Sequence, residues 1–357
     1  MDATRAIAAI AVVASHARDL VVSDYQGQIA WSGFYLLTGL GRQAVIVFFV
    51  ISGFWIGKSV LEGAANSHFW RDYLINRLSR LYIVLIPALC LGGLLDAVGH
   101  HQLGLPVYTF SEAHSMRDVS VASLTVPNFF GNALYLQSIL VPVFGTNGPL
   151  WSLAYEFWFY IWFPALFLLR SRRFSILLIS LALVWFAPML AAYFAIWLIG
   201  VAVFFLNRVL DKPAANRTAA LATLPALVVA VILFALGVAG SSIDGSYLAE
   251  FALALSFGLL LLLLLRLDVR LWSPPGWLAR FGSRSSFSVY IVHFPILVLA
   301  FGLARADRLQ IGAVSASWVV LLTGFAVAGG WAFSLLTEAH TKRLQKYIYG
   351  QFTPREK

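Results

Sequence analysis

Eleven positions separate Arg5 from His16 in the first apolar stretch of this sequence. At 100° per residue that is about 1100°, three turns plus roughly 20°, so both side chains leave one face of a helix, about 16 Å apart along its axis. An arginine can hold an anion at a helix mouth, and a histidine deeper on the same face can take up a proton. The plainer alternative is a snorkelling anchor and a histidine bonded to a neighbouring helix. Asp2, one turn before Arg5, can pair with it.

Four further patterns carry polar groups into apolar surroundings. Arg77 and Arg80 share a face at the start of an apolar run, and two guanidiniums there suit an anionic ligand, phosphate above all. Taken alone, ordinary membrane anchoring explains them more simply. Ser152 and Glu156 lie one turn apart, with Trp151 and Tyr155 beside them. A carboxylate inside an apolar helix needs a partner, or else sits protonated. Ser286, Tyr290 and His293 form a stripe at spacings of four and three, a pattern that more often glues helices than catalyses. Phe48-Phe49-Val50-Ile51-Ser52-Gly53 holds a small Ser-Gly pair that permits close helix approach. No metal-ligand spacing, phosphate-binding glycine loop or nucleophile elbow accompanies them. The single cysteine, Cys90, excludes an internal disulfide and argues against a thiolate metal cluster.

The elements that must position these groups follow from the composition. Of 357 residues, 60% are hydrophobic and 11% charged, with a mean hydropathy of +0.82. A soluble core cannot absorb that much apolar surface, whereas lipid can. Apolar segments long enough to span occur at 6–22, 40–58, 78–98, 150–169, 174–190, 192–207, 219–240, 247–265, 286–303 and 312–336. The expected fold is all-α, a polytopic membrane protein of about ten transmembrane helices. The stretch 30–39 either extends the second helix or lies along the membrane surface. No cleavage pattern follows the first segment, and no internal repeat is visible.

With the N-terminus inside, 20 of the 25 Lys and Arg fall on the cytoplasmic side. That asymmetry predicts both termini in the cytoplasm and gives the net charge of +9 a bland origin in loops facing anionic lipid, not in nucleic-acid binding. The organisation expected is a transmembrane domain over 1–340 and a basic cytoplasmic tail over 341–357. One long outer loop, 99–149, is of a length usually reserved for function. Its apolar part, 129–144, either lies in the interface or re-enters the bundle.

In this order the five patterns resemble the acyltransferase-3 family of membrane acyltransferases. Arg5 and His16 are similar to its arginine, ten residues, histidine motif. Phe48 to Gly53 resembles its FFVxSG segment, Arg77 to Arg80 its Arg-x-x-Arg motif, Trp151-Ser152-Leu153 with Glu156 its WSLxxE segment, and Ser286 to Pro295 its late serine-tyrosine-histidine segment. There are departures: the usual Asp-Gly-Leu-Arg-Gly opening is Asp2-Ala3-Thr4-Arg5-Ala6, Phe287 stands where Tyr is common, and no Pro follows Tyr82, Pro87 lying further on.

The resemblance implies transfer of an acyl group, most often acetyl, from cytoplasmic acyl-CoA to a hydroxyl of a carbohydrate or glycolipid at the outer side of a bacterial inner membrane. Acetyl-CoA or another acyl-CoA is then the donor, and no metal is needed. On that scheme His16 is the general base, Glu156 or Asp2 orients or charge-balances the site, and Arg5, Arg77 and Arg80 meet the CoA phosphates. Trp151, Ser152, Ser286, Tyr290 and His293 are substrate-facing or structural. Two other readings compete. One is a transporter or flippase of a lipid-linked or acyl-carrier substrate, with Arg5, His16 and Glu156 lining its pathway, against which the missing repeat argues. The other is a non-catalytic scaffold for a polysaccharide synthase.

Overall fold

Every backbone polar group in lipid must be satisfied within the chain, and apolar runs of about 20 residues therefore coil into helices. The computed structural model describes residues 1–24, 29–109, 112–168, 180–210, 217–267, 275–305 and 307–352, and these are helical, linked by short turns and isolated bridges. Among the described residues, seven helical stretches are long and apolar enough to cross a membrane. They contain α3 (Gly41–Gly63), α4 (Phe69–Ala97), α8 (Met189–Val209), α9 (Arg217–Ile243), α10 (Tyr247–Leu267), α12 (Ser286–Ala304) and α13 (Ala313–Leu336). The protein is a polytopic helical membrane protein.

Three of the ten expected spans are not among these seven, each for a visible reason. α1 (Asp2–Val21) carries Arg5, Arg18 and Asp19 besides Asp2. α6 (Leu150–Phe167) is shortened and loaded with Trp and Tyr around Glu156. Much of 174–190 lies outside the described residues, and its described part comprises the helical Ser180 and Leu181, the single turn α7 (Leu183–Phe186) and the start of α8. Several basic residues behind the charge count, including Arg170, Arg172, Arg173, Lys212 and Arg270, also lie outside them. The stretch 30–39 forms a separate short helix, α2 (Ser32–Thr38), whose Leu36 and Leu37 are exposed.

The chain divides into two compact units. The first comprises Arg42–Ala64 and Tyr155–Pro275. Within it α3 and α8 touch backbone to backbone: a Cβ on Gly53 would collide with the Trp197 carbonyl, and one on Gly200 with the Val50 carbonyl. The small residue of the Ser52-Gly53 pair thus does what small residues do at membrane helix contacts. Inside the same unit Arg42 and Tyr193 both donate to Glu250, which is buried.

The second unit comprises Asp2–Gly41, Ala65–Ala154 and Gly276–Lys357. Its α1 is rich in alanine, with Ala6, Ala9 and Ala17 wholly buried, so neighbours approach closely. The short helix α11 (Gly276–Arg284) lies against its start, where a Cβ on Gly282 would strike the Asp2 carbonyl. Val13, Ala17 and Leu20 pack with Phe294, Leu297 and Val298 of α12 and Leu322 and Ala326 of α13 in one core. α14 (Thr341–Phe352) caps the basic end, tied to α4 through Gln345 and the Asn76 carbonyl at 3.3 Å.

The loop 99–149 belongs to this unit and is ordered by buried polar side chains. A π-turn (Val98–Gln102), three 3₁₀ turns and α5 (Val126–Ala133) make up its regular parts. Asp96 accepts from the Thr146 amide (2.7 Å) and hydroxyl (2.8 Å). Asn132 donates to the Pro142 carbonyl (3.0 Å) and accepts from the Phe144 amide (3.1 Å). Asp19 of α1 accepts from the Ser115 amide and hydroxyl, pinning the loop to the end of α1 beyond His16.

Candidate active site

His16 and His293 are hydrogen-bonded to each other. His16 Nδ1 lies 2.8 Å from His293 Nε2, with the ring planes within 6° of parallel. The pairing joins residues 277 positions apart, from α1 and α12. His293 is fully buried, whereas His16 is partly accessible, with Phe294 set edge-on to its ring at a centroid distance of 5.0 Å.

Acceptor chemistry fixes which nitrogen carries each proton. His293 Nδ1 lies 2.7 Å from the Tyr290 carbonyl oxygen, which can only accept. Nδ1 of His293 is therefore protonated, and in the neutral ring Nε2 holds the lone pair. That lone pair accepts from Nδ1–H of His16, which leaves the lone pair of His16 on Nε2. Among the described residues Nε2 of His16 has no hydrogen-bond partner. The pair is thus a hydrogen-bonded chain fixed at the Tyr290 carbonyl and open at His16 Nε2.

The turn that holds His293 is built by its neighbours. Pro295 has no amide hydrogen, so the Ile291 carbonyl loses its helical donor. Asn147 replaces it, donating from Nδ2 at 2.8 Å. Tyr290 turns its hydroxyl to Ser152 Oγ, 2.6 Å away at the start of α6, and also donates to the Pro149 carbonyl at 3.3 Å. The end of the loop 99–149 and the α12 stripe are thereby one structure. Ser286 does not share it: its hydroxyl donates back to the Gly282 carbonyl at 2.6 Å. Trp151, next to Ser152, is partly exposed.

Arg5 and Asp2 form an ion pair at 3.7 Å. Asp2 stands about 21 Å of helical rise before His16, and Arg5 about 16 Å before it. At the same end of this unit Arg80 pairs with the buried Glu338 at 3.4 Å, and Glu338 also accepts from the Ser288 amide (3.2 Å) and hydroxyl (3.0 Å). Arg77 lies over the Tyr73 ring, 5.7 Å from its centroid.

Glu156 belongs to the first unit and ends a chain of its own. Tyr160 donates to Glu156 Oε1 at 2.5 Å, so Ser52 Oγ, 3.2 Å from the Tyr160 hydroxyl, donates to Tyr160, and Trp197 Nε1 donates to Ser52 at 3.2 Å. Two motifs that are far apart in sequence, around Ser52 and around Glu156, meet here.

Sequence reasoning missed the His16–His293 bond itself, because spacing within one helix says nothing about which helix lies opposite. It also missed Glu338 and Glu250. Each is an acidic residue adjoining a long apolar run, and the demand that a carboxylate near lipid find a cation was the available signal.

Residues 1–335 match the family Acyl_transf_3, described as an acyltransferase domain. A relative is the acyltransferase MdmB of Streptomyces mycarofaciens, 29% identical over 161 residues, which is 45% of this chain and 36% of that protein. The match thus spans about a third of the relative's length. No solved structure matches the chain.

Proposed function

The chain belongs to the acyltransferase-3 family, and from that premise we propose that it is a membrane-bound O-acyltransferase with His16 as its general base. One observation carries the proposal: the tautomer lock from the Tyr290 carbonyl through His293 leaves the lone pair of His16 on Nε2, on the partly accessible member of the pair. A general base needs a lone pair in reach of the substrate and a partner that steadies the cation it becomes. His293 Nε2 is that partner, as an acceptor for the Nδ1–H of the imidazolium.

The donor we assign is acyl-CoA, most often acetyl-CoA, and the acceptor a hydroxyl of a carbohydrate or glycolipid. His16 Nε2 takes the hydroxyl proton as the oxygen attacks the thioester carbonyl. The tetrahedral adduct collapses, the C–S bond breaks, and the thiolate leaves with the proton that His16 returns. The new ester and free CoA thiol balance the reaction. The spacing along α1 supports this division of labour, with the cations at its start set for phosphates and His16 about 16 Å further along, within reach of an extended pantetheine arm. We place both termini in the cytoplasm of a bacterial inner membrane with about ten spans, on the 20-to-5 division of basic residues. The loop 99–149, tied to the His293 turn through Asn147 and Tyr290, then faces outward and contacts the acceptor.

Radiolabelled acetyl-CoA tests the proposal, with membranes containing wild-type protein or His16→Ala and with cell-surface glycan as acceptor. Label should move to glycan only with the wild type, at equal amounts of membrane-inserted protein. Full transfer by His16→Ala overturns the mechanism. Glycan export without any label transfer by the wild type supports a flippase instead.

A further inference from the structure

At the end of the second unit where α1 begins, α11, α13 and α14 enclose a cavity of about 780 Å³. Four cations line it, Arg80, Arg280, Arg284 and Lys342, together with one carboxylate, Glu338. The carboxylate is already committed to Arg80 and to the amide and hydroxyl of Ser288. Among the described residues no carboxylate lies within ion-pair distance of Arg280, Arg284 or Lys342, and all three are exposed. The pocket is therefore strongly cationic, and it is of a size that takes a whole small molecule.

Local sequence explains why the charges converge. Trp277, Arg280 and Arg284 follow at spacings of three and four on one face of α11. Leu278 and Phe281, on the adjoining side of the helix, pack against Ala3 and Ala6 of α1 and orient it, Phe281 also lining the pocket. Trp331 of α13 supplies a second indole to the pocket wall. Guanidiniums bind phosphate by paired N–H donors, and an indole face stacks on a nucleobase.

We propose that this pocket holds the nucleotide end of the acyl-CoA donor, with Arg280, Arg284 and Lys342 on its phosphates and Trp277 or Trp331 against its adenine. The assignment rests on the acyl-CoA reading above and extends it to residues outside the family-like motifs. Position favours a donor over a lone phosphate headgroup. Helix α11 touches α1 at Asp2 and Ala6, and from Ala6 to His16 the rise is about 15 Å, so a ligand anchored here by phosphates can carry a thioester to His16. An anionic lipid headgroup shares the phosphate chemistry but lacks the base and the arm.

The experiment uses full-length protein in nanodiscs of neutral lipid and measures binding of CoA, 3′-dephospho-CoA and adenosine 3′,5′-bisphosphate, alongside acetyl-transfer kinetics. In the wild type, CoA and adenosine 3′,5′-bisphosphate should compete, and dephospho-CoA should bind more weakly. Arg284→Gln, and separately Arg280→Gln with Lys342→Gln, should raise KM for acetyl-CoA by about tenfold or more, the loss of a charge-assisted bond to phosphate, with little change in kcat. They should also abolish the preference for CoA over dephospho-CoA. Wild-type protein that binds CoA while both variants bind it equally well overturns the pocket assignment and leaves the donor reading standing. Wild-type protein that transfers acyl groups but binds no CoA overturns the donor reading, and the pocket assignment with it. Competition by phosphatidylglycerol vesicles, with no effect of adenosine 3′,5′-bisphosphate, makes the pocket a lipid site and overturns the proposal.

Discussion

Two polar chains cross the helices of this protein, one in each unit, and they differ at one end. In the first unit Trp197, Ser52 and Tyr160 pass hydrogen bonds in one direction, and the chain closes on Glu156, an acceptor that receives. In the second unit the chain is fixed at the Tyr290 carbonyl, runs through His293 to His16, and stops on a lone pair at Nε2. Each chain donates towards an acceptor, Glu156 in the first and the Tyr290 carbonyl in the second, and they differ at the donating head: Trp197 has only an indole N–H to offer, whereas His16 keeps a lone pair on Nε2. Both look alike in sequence, as polar residues set in apolar runs, and only the folded partners separate them.

Removing the exposed base should have the largest effect. His16→Ala should lower acyl transfer by about 10²–10⁴-fold, the usual worth of a positioned general base, with the protein still inserted in the membrane. The next effect belongs to the residue behind it. His293→Ala frees His16 to adopt either tautomer and removes the acceptor for its imidazolium form, so kcat should fall by about 10–100-fold, less than the general base itself is worth, about 10²–10⁴-fold. His293→Gln presents a carbonyl oxygen that can accept from His16 Nδ1, and should recover part of that rate. If His293→Ala folds and keeps its rate, the tautomer lock plays no part in the reaction.

What the sequence disclosed about this site, and what it withheld, follow from the same physics. Helical periodicity places Arg5 and His16 on one face and gives their separation along α1, because both numbers depend only on local geometry. It cannot say that α12 lies across from α1, so His293 appears beside Ser286 in a stripe that the folded chain breaks: Ser286 bonds the Gly282 carbonyl of α11 and His293 crosses to α1. The same holds for Glu156: its donor Tyr160 lies one turn on in α6, but Ser52 and Trp197, which extend that chain, come from α3 and α8. Apolar length makes seven spans plain. It fails at α1 and α6, where charged and aromatic side chains dilute the signal. The loop 99–149 resists sequence reading because its order comes from Asp96, Asn132 and Asn147 meeting backbone groups, contacts that carry no periodicity.

Opening the closed chain should cost stability before it costs rate. Glu156→Ala removes the carboxylate that accepts from the half-buried Tyr160 hydroxyl, and a hydrogen bond to a charged group is worth about 1.5–3 kcal/mol. Less folded protein should be recovered and its melting temperature in detergent should drop, while kcat per folded molecule stays close to wild type. A large fall in kcat with an unchanged melting temperature would instead return Glu156 to the reaction, and would make the two chains functional partners.

The smallest effect is expected at the far end of the same chain. Trp197→Phe removes the Nε1–H that Ser52 accepts but keeps an aromatic ring among Phe159, Phe163 and Phe194. Ser52 still donates to Tyr160, so nothing is left unsatisfied except half of one hydroxyl. The net loss should be about 0.5–1.5 kcal/mol, the contribution of a single ordinary hydrogen bond, seen as a small shift in melting temperature with transfer kinetics unchanged. Because Tyr160 stays paired with Glu156 in this variant, it should be milder than Glu156→Ala. If it proves equally damaging, the chain acts as one cooperative unit, its bonds polarising one another from the indole to the carboxylate.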